Sequence, residues 1–223
     1  MKALAWKELR DLFVIMAVAL AWYLVLAVNA MGAKAFNWVP VIPNGTMGIP
    51  FLDGGFSDVH TLISAFFAIA LGFRQSAWES SRGTYLFLLH RPLRREAIVF
   101  IKLTTGATVF LLCGSLPVLL YAWWASLPGH HAGPFEWSMT GPTWRSLFLL
   151  VLLYLGAFLS GLRPARWFGT RLLPLVGSLL ILVILYAMLP AWGWWYLGFP
   201  LALVLCGLLI GNICFVARVR AYA

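Results

Sequence analysis

The sequence predicts an all-α, polytopic membrane protein with six transmembrane helices, an N-terminal interfacial helix and a short amphipathic helix in the cytoplasm. Of its 223 residues, 62% are hydrophobic and only 10% are charged, which is too apolar a composition for a soluble domain of this size. Apolar segments of about 20 residues, the length that crosses a bilayer, recur along the chain. The basic residues are concentrated in alternate connections between these segments.

The N-terminal segment predicts an interfacial helix followed by the first span. Residues 1–11 (MKALAWKELRD) mix charged side chains with leucines and a tryptophan, a pattern typical of a helix in the headgroup layer. Residues 12–30 carry no charge, and 19 residues in an α-helix cover about 28 Å. This run exceeds the 7–15 residues of a signal-peptide core, so it is interpreted as a span.

The rest of the chain predicts five further spans. Residues 31–58 are rich in proline and glycine and predict a loop on the outer side, where Ser57 or Asp58 would cap the next helix. The predicted spans lie at about 59–78, 97–125, 144–162, 172–189 and 195–217.

The charge distribution predicts the orientation of these spans. With six spans, 14 of the 16 Lys and Arg residues fall on the side of the two termini, and only Lys34 and Arg145 fall on the other. Because basic residues concentrate in cytoplasmic connections, both termini are expected in the cytoplasm. The same rule explains the formal charge of +9, so nucleic acid is not expected as a partner.

An arginine-rich stretch, residues 79–96, separates the second and third spans. Within it, the leucines and tyrosine of residues 84–90 can share one face of a short helix, and Pro92 prevents its simple continuation. The run is too short to cross a bilayer, so its apolar face must meet lipid headgroups or another protein.

Several kinds of site are absent from the sequence. No Asp, Glu, Lys or Arg lies in the middle of a predicted span, which argues against coupling to an ion gradient. The three cysteines lie in apolar runs and the four histidines near span ends or in loops, so no metal site is expected. No phosphate-binding loop and no catalytic constellation occurs. If ATP drives this protein, another chain hydrolyses it.

The arginine-rich stretch resembles the region between the second and third helices of ABC-2 type transporter permeases. In that family the same elements follow one another in a fixed order. An acidic residue comes first, then a Gly-Thr pair, a leucine-rich helix, a Pro-x-x-Arg turn and a Lys at the start of the next span. The N-terminal residues 6–10 (WKELR) also resemble the elbow helix of the family. The residues that carry the resemblance are Glu79, Arg82, Gly83, Thr84, Leu88, Leu89, Arg91, Pro92, Leu93, Arg94, Arg95 and Lys102.

The resemblance implies the membrane subunit of an ATP-driven exporter in the cytoplasmic membrane of a prokaryote. Residues from about Ser81 to Arg91 would form the coupling helix, which contacts a cytoplasmic ATPase subunit, and ATP and Mg²⁺ would bind to that subunit rather than to this chain. A second copy or a related permease would complete the pathway, with membrane lipid around both. Two alternatives stay open: a membrane enzyme acting on lipid or lipoprotein, and a non-transporting anchor whose arginines bind a cytoplasmic complex or anionic lipid.

Polar residues inside the predicted spans are candidates for the substrate pathway: Trp22, Tyr23, Thr104, Thr108, Tyr154 and Asn212. Ordinary hydrogen bonds between helices would explain each of them as well. The Gly207-x-x-x-Gly211 motif in the last span allows close helix contact, within one subunit or between two. An apolar, aromatic-rich pathway would suit lipids, peptides, antibiotics and hydrophobic cofactors equally.

Overall fold

A computed structural model describes residues 2–32, 49–52, 55–81, 95–129, 134–163, 170–192 and 197–219. Over these ranges the regular secondary structure is helical, and no strand occurs. The long helices are α1 (Lys2–Ala30), α2 (Phe56–Ser81), α3 (Arg95–Ser126), α4 (Gly141–Leu162), α5 (Leu173–Trp192) and α6 (Phe199–Val219), and a short 3₁₀ helix, Trp137–Thr140, precedes α4. The predicted all-helical class is confirmed.

Among the described residues, five helical segments are long and apolar enough to cross a membrane: Leu4–Ala30, Phe56–Trp78, Glu96–Ser126, Trp137–Leu162 and Phe199–Val219. In α5 the apolar segment Leu173–Ala187 is shorter. A helical membrane protein therefore agrees with the structure. The sixth span remains a prediction.

The N-terminal helix differs from its prediction. Residues 1–11 were expected to form an interfacial helix apart from the first span, yet α1 continues unbroken from Lys2 to Ala30. No proline or glycine interrupts these residues, so nothing in the backbone favours ending the helix at residue 11.

The chain forms two compact units, and the first comprises Met1–Phe13, Ala68–Val109 and Leu149–Ala223. Within it α2 lies against α4 so closely that a Cβ on Gly72 would come within 2.6 Å of the Ala157 Cβ and 2.8 Å of the Phe158 backbone nitrogen. A separate apolar cluster joins α4, α5 and α6 through Leu149, Leu152, Leu185 and Ala202. Glycine thus permits the tight approach of α2 to α4.

The second unit comprises Val14–Phe67 and Phe110–Phe148, and its core is aromatic. Phe51 precedes α2 with a φ of 67°, which is unusual for a bulky residue. Its ring lies 5.2 Å from that of Phe56 and 4.8 Å from that of Tyr121, measured between centroids. These ring contacts fix the end of the predicted outer loop against the unit.

Candidate functional site

A buried ion pair joins α1 to α3 in the first unit. The Lys102 Nζ lies 3.2 Å from the Glu8 Oε1, and the two side chains are 0% and 3% exposed. Charges removed from solvent to this degree are rare unless they are paired. The pair is therefore the most unusual chemical feature among the described residues.

Glu8 and Lys102 each lie on the apolar, packed face of their helix. Leu4, Glu8 and Leu12 are spaced four residues apart, so they share one face of α1, and all three are buried. On α3, Ile98 and Leu103 flank Lys102 and are buried with it. Glu8 thus lies on the packed face of α1, whereas its neighbour Trp6 is exposed.

Gln75 of α2 and Tyr154 of α4 complete the cluster. The Gln75 Nε2 donates to the Lys102 backbone oxygen at 3.0 Å, and the Lys102 Nζ donates to the Gln75 backbone oxygen at 3.4 Å. The Tyr154 hydroxyl donates to the Gln75 Oε1 at 2.6 Å. Side chains from four helices thus form one buried polar network, which we call the four-helix cluster: Glu8, Gln75, Lys102 and Tyr154.

Gly106, one turn after Lys102 on α3, leaves the space that this network needs. A Cβ at this position would clash with the Tyr154 hydroxyl and the Gln75 Oε1. The hydrogen bond between Gln75 and Tyr154 therefore requires glycine at position 106 for steric reasons.

A further contact joins α2 to α1 beside the cluster. The Arg74 Nε donates to the Asp11 backbone oxygen at 3.3 Å, and the Arg74 guanidinium carbon lies 4.7 Å from the ring centroid of Trp78. The cluster combines a paired ammonium and carboxylate with oriented amide and hydroxyl groups. These polar contacts connect the four helices inside the first unit.

The second unit contains another buried polar group around His60. The His60 Nε2 lies 2.9 Å from the Gly114 carbonyl oxygen, which can only accept, so His60 carries a proton on Nε2. One turn later, the Ser64 Oγ and the Tyr23 hydroxyl are 2.6 Å apart. These contacts join α1, α2 and α3 within the second unit.

The six predicted pathway residues do not share one environment. Tyr154 belongs to the four-helix cluster, and Tyr23 is buried against Ser64 in the second unit. Trp22, Thr104, Thr108 and Asn212 are exposed. The Thr104 hydroxyl and the Asn212 amide bond carbonyls of their own helices, those of Phe100 and Leu208. Hydrogen bonding between helices thus accounts for the two tyrosines.

Asn212 also borders an open, largely apolar groove of about 250 Å³ in the first unit. Ser178 is the other polar side chain in its wall, and its hydroxyl donates to the Leu175 carbonyl of its own helix at 2.9 Å. The remaining lining residues are Leu152, Pro174, Gly177, Ile181, Leu205, Leu208 and Leu209. The groove can accept an apolar chain or side chain.

The predicted coupling residues fall largely outside the described ranges. Residues 82–94, which include Arg82, Gly83, Thr84, Leu88, Leu89, Arg91, Pro92 and Arg94, are among those the structure does not describe. Glu79 belongs to the last turn of α2, and Arg95 begins α3. The next residue, Glu96, forms an exposed ion pair with Arg218 of α6.

Three members of the four-helix cluster were not predicted as site residues from the sequence. Glu8 was assigned to the headgroup layer, Lys102 to the opening of a span, and Gln75 to no site at all. The spacing of Leu4, Glu8 and Leu12 was the available signal, because it places a carboxylate on an apolar helical face. Among the described residues, no group of three or more His, Cys, Asp or Glu side chains could hold a metal ion.

Comparisons with protein-family models, with curated protein sequences and with solved structures gave no significant match.

Proposed function

We propose that this chain is the membrane-spanning permease subunit of an ABC-2 type ATP-driven transporter, acting as an exporter in the cytoplasmic membrane of a prokaryote. The observation that carries the proposal is the position of the arginine-rich stretch. It leaves α2 at Ser81 and enters α3 at Arg95, and both helices are long and apolar enough to span a membrane. We expect a connection between two spans to lie at the membrane surface, where a cytoplasmic subunit can bind it.

The chemistry of the stretch supports a protein partner. Arg82, Arg91 and Arg94 offer guanidinium groups, which form bidentate hydrogen bonds to carboxylates. Leu88 and Leu89 offer apolar side chains that a pocket on the partner can bury. In the proposed complex the partner is an ATPase subunit that binds ATP and Mg²⁺, and this chain is not itself an enzyme.

A second permease subunit, either another copy of this chain or a related one, belongs to the same proposal. The outward face of α6 supports such a partner, because nothing in the described structure lies within 4 Å of a Cβ added to Gly207 or Gly211. Close packing of this motif inside the subunit, one of the two alternatives for it, is therefore not observed among the described residues.

Co-purification of this chain with ABC ATPase subunits of its own organism tests the proposal. Wild type is compared with Leu88→Asp combined with Arg94→Glu, which inserts acidic groups into the proposed contact. The matched control is Arg163→Glu, a charge reversal at the end of α4. Wild type and control are expected to yield a complex with ATPase activity, and the double variant is expected to lose it.

The opposite outcomes identify the alternatives. If wild type binds no ATPase, the permease proposal is wrong, and an enzyme acting on lipid or an anchor for another complex takes its place. If the double variant binds as strongly as wild type, the arginine-rich stretch is not the contact.

A further inference from the structure

We propose that the open groove between α5 and α6 binds one anionic phospholipid, with part of an acyl chain in the groove and the phosphate near Arg171. The groove and Arg171 both belong to the first unit. The site lies outside the proposed contact with an ATPase subunit, so it goes beyond the proposed function and does not depend on it. It requires only that α5 and α6 meet membrane lipid.

The shape of the groove suits a narrow apolar chain. Its lining residues run from Pro174 to Ile181 on α5 and from Leu205 to Asn212 on α6, spaced by three and four positions, so each set lies on one helical face. A helix rises about 10 Å over such a run. The volume of about 250 Å³ lies below the roughly 300–1,000 Å³ of pockets that enclose a drug-sized ligand. The groove therefore accommodates part of a chain rather than a whole lipid.

The two ends of the groove differ in chemistry. At one end Ile181 packs against the apolar cluster that contains Leu185 and Ala202. Pro174 and Asn212 mark the other end, because each is the lining residue farthest from that cluster along its helix. An apolar chain can thus extend toward the cluster while the polar part of the same molecule lies near Pro174 and Asn212.

The Asn212 amide offers a hydrogen bond at this polar end. Its Nδ2 donates to the Leu208 carbonyl oxygen at 2.9 Å, and the side chain is exposed. Because an amide nitrogen carries two hydrogens, a second N–H can donate to an ester oxygen of a phospholipid. Such a bond is favourable within a membrane, where the hydrocarbon core holds no water to take its place.

Arg171 places a positive charge beyond the same end, three residues before Pro174 in the chain. Its Nε and Nη2 donate to the carbonyl oxygens of Ser160 and Gly161 at 3.2 and 3.1 Å, which holds the guanidinium group at the last turn of α4. In the sequence, residues 137–223 contain six arginines and no Asp or Glu. Basic pockets between membrane helices favour anionic headgroups, so the charge of this region selects a phosphate without a compensating cation.

The predicted topology and the subunit contact both agree with such a lipid. The basic end of the groove lies on the predicted cytoplasmic side, and the cytoplasmic leaflet carries anionic lipids. Gly207 and Gly211, which are proposed to meet a second permease subunit, are not among the lining residues and lie on a different face of α6. A bound lipid would therefore leave that contact open.

Photocross-linking in nanodiscs tests the site. The probe is phosphatidylglycerol with a diazirine in one acyl chain, and phosphatidylcholine with the same acyl chain is the headgroup control. Adducts are located by mass spectrometry of peptides. In wild type, phosphatidylglycerol is expected to label residues 174–181 and 205–212 more strongly than phosphatidylcholine does. The two lipids should label Leu112, an exposed apolar residue of α3, to the same extent.

Gly177→Leu tests the acyl part of the site by filling the groove. Nothing in the described structure lies within 4 Å of a Cβ at this position, so the variant should keep the melting temperature of wild type. Its affinity for phosphatidylglycerol, measured by native mass spectrometry, should fall by about tenfold, the effect of roughly two methylene groups that lose their contacts. The matched control is Gly141→Leu at the start of α4, which also meets open space and should bind as wild type does.

Arg171→Gln and Arg171→Lys test the headgroup part. Both replacements keep an N–H donor for the carbonyl groups of α4, and only lysine keeps the charge. Arg171→Gln should label the groove equally with the two lipids, whereas Arg171→Lys should retain the preference for phosphatidylglycerol. Increased salt should weaken this preference in wild type, because salt screens exposed charges.

Three results would overturn the proposal. Equal labelling of the wild-type groove by the two lipids would show contact with bulk lipid only. Unchanged affinity of Gly177→Leu, or adducts mainly outside residues 174–181 and 205–212, would show that the acyl chain binds elsewhere. A preference for phosphatidylglycerol that persists in Arg171→Gln would show that the phosphate does not bind near Arg171. None of these measurements involves an ATPase, so failure of this site is distinguished from failure of the proposed function.

Discussion

At the scale of single residues, the two acidic groups in the first three turns of α1 meet different surroundings. Asp11 pairs with Lys7 at 3.8 Å, and their side chains remain 41% and 34% exposed. Glu8 pairs with Lys102 where solvent is excluded. Because burial weakens solvent screening, the buried pair of Glu8 and Lys102 contributes differently to stability from the exposed pair of Asp11 and Lys7.

The change Lys102→Met is expected to lower the free energy of unfolding by about 3–5 kcal/mol, because it removes the ammonium that lies 3.2 Å from the buried Glu8 carboxylate. Adding Glu8→Gln should recover most of this loss. The control Lys7→Met should cost roughly 0–1 kcal/mol, as its partner stays near solvent. Thermal unfolding in detergent measures all three, and equal losses for Lys102→Met and Lys7→Met would contradict the assignment.

Gly106→Ala is expected to destabilise the fold by about 1–3 kcal/mol, because its methyl group would overlap the contact between Gln75 and Tyr154. Adding Tyr154→Phe removes one of the clashing atoms and should relieve part of the loss. Gly211→Ala is the matched control, since open space surrounds that position in the described structure. Equal melting temperatures for Gly106→Ala and the control would show that the contact is looser than described.

Prediction from sequence succeeded unevenly at this scale. Tyr23 and Tyr154 were selected as polar side chains inside predicted spans that could line a pathway or form ordinary hydrogen bonds between helices, and the structure shows such hydrogen bonds for both. Glu8 and Lys102 were placed at the membrane edge because each lies near one end of its apolar run. Their pairing depends on how α1 packs against α3, which no local pattern encodes.

At the scale of elements, the helices follow from composition, because long apolar runs must satisfy their backbone groups internally. The break expected between residues 11 and 12 was inferred from a change in charge, and charge alone does not end a helix. The packing partners of each helix required the structure, since Gly72 and Gly106 give no sign in the sequence of what they contact.

Gly207→Leu combined with Gly211→Leu tests the role of α6 as a contact between permease subunits. Both positions face open space in the described structure, so the monomer should keep its thermal stability. The share of dimer in cross-linking and in light scattering should fall, because leucine prevents close approach of two helices. If the doubly substituted chain forms the same share of dimer as wild type, the contact between subunits lies outside this face of α6.

At the scale of the whole molecule, the distribution of basic residues predicts six spans with both termini in the cytoplasm. In the part of the chain that the structure describes, five helical segments have the length and composition of a span, and the predicted sixth span corresponds to α5. The function depends on this count, since five spans would put the C-terminus outside.

Reporter fusions measure the topology directly. A fluorescent protein fused after Ala223 should fold in the cytoplasm and fluoresce, whereas alkaline phosphatase fused after Gly133 should be exported and active. If alkaline phosphatase fused after Ala223 is active, the C-terminus lies outside and α5 does not span the membrane.

Site-specific cross-linking tests the central claim most directly. In a cysteine-free background, Leu89→Cys places a thiol in the proposed coupling helix, and Leu62→Cys, on the exposed face of α2, serves as the control. With the ATPase present, Leu89→Cys is expected to form a covalent adduct with that subunit, and Leu62→Cys is not. No adduct from Leu89→Cys, or equal adduct from both positions, would contradict the account of this chain as a permease driven through its arginine-rich stretch.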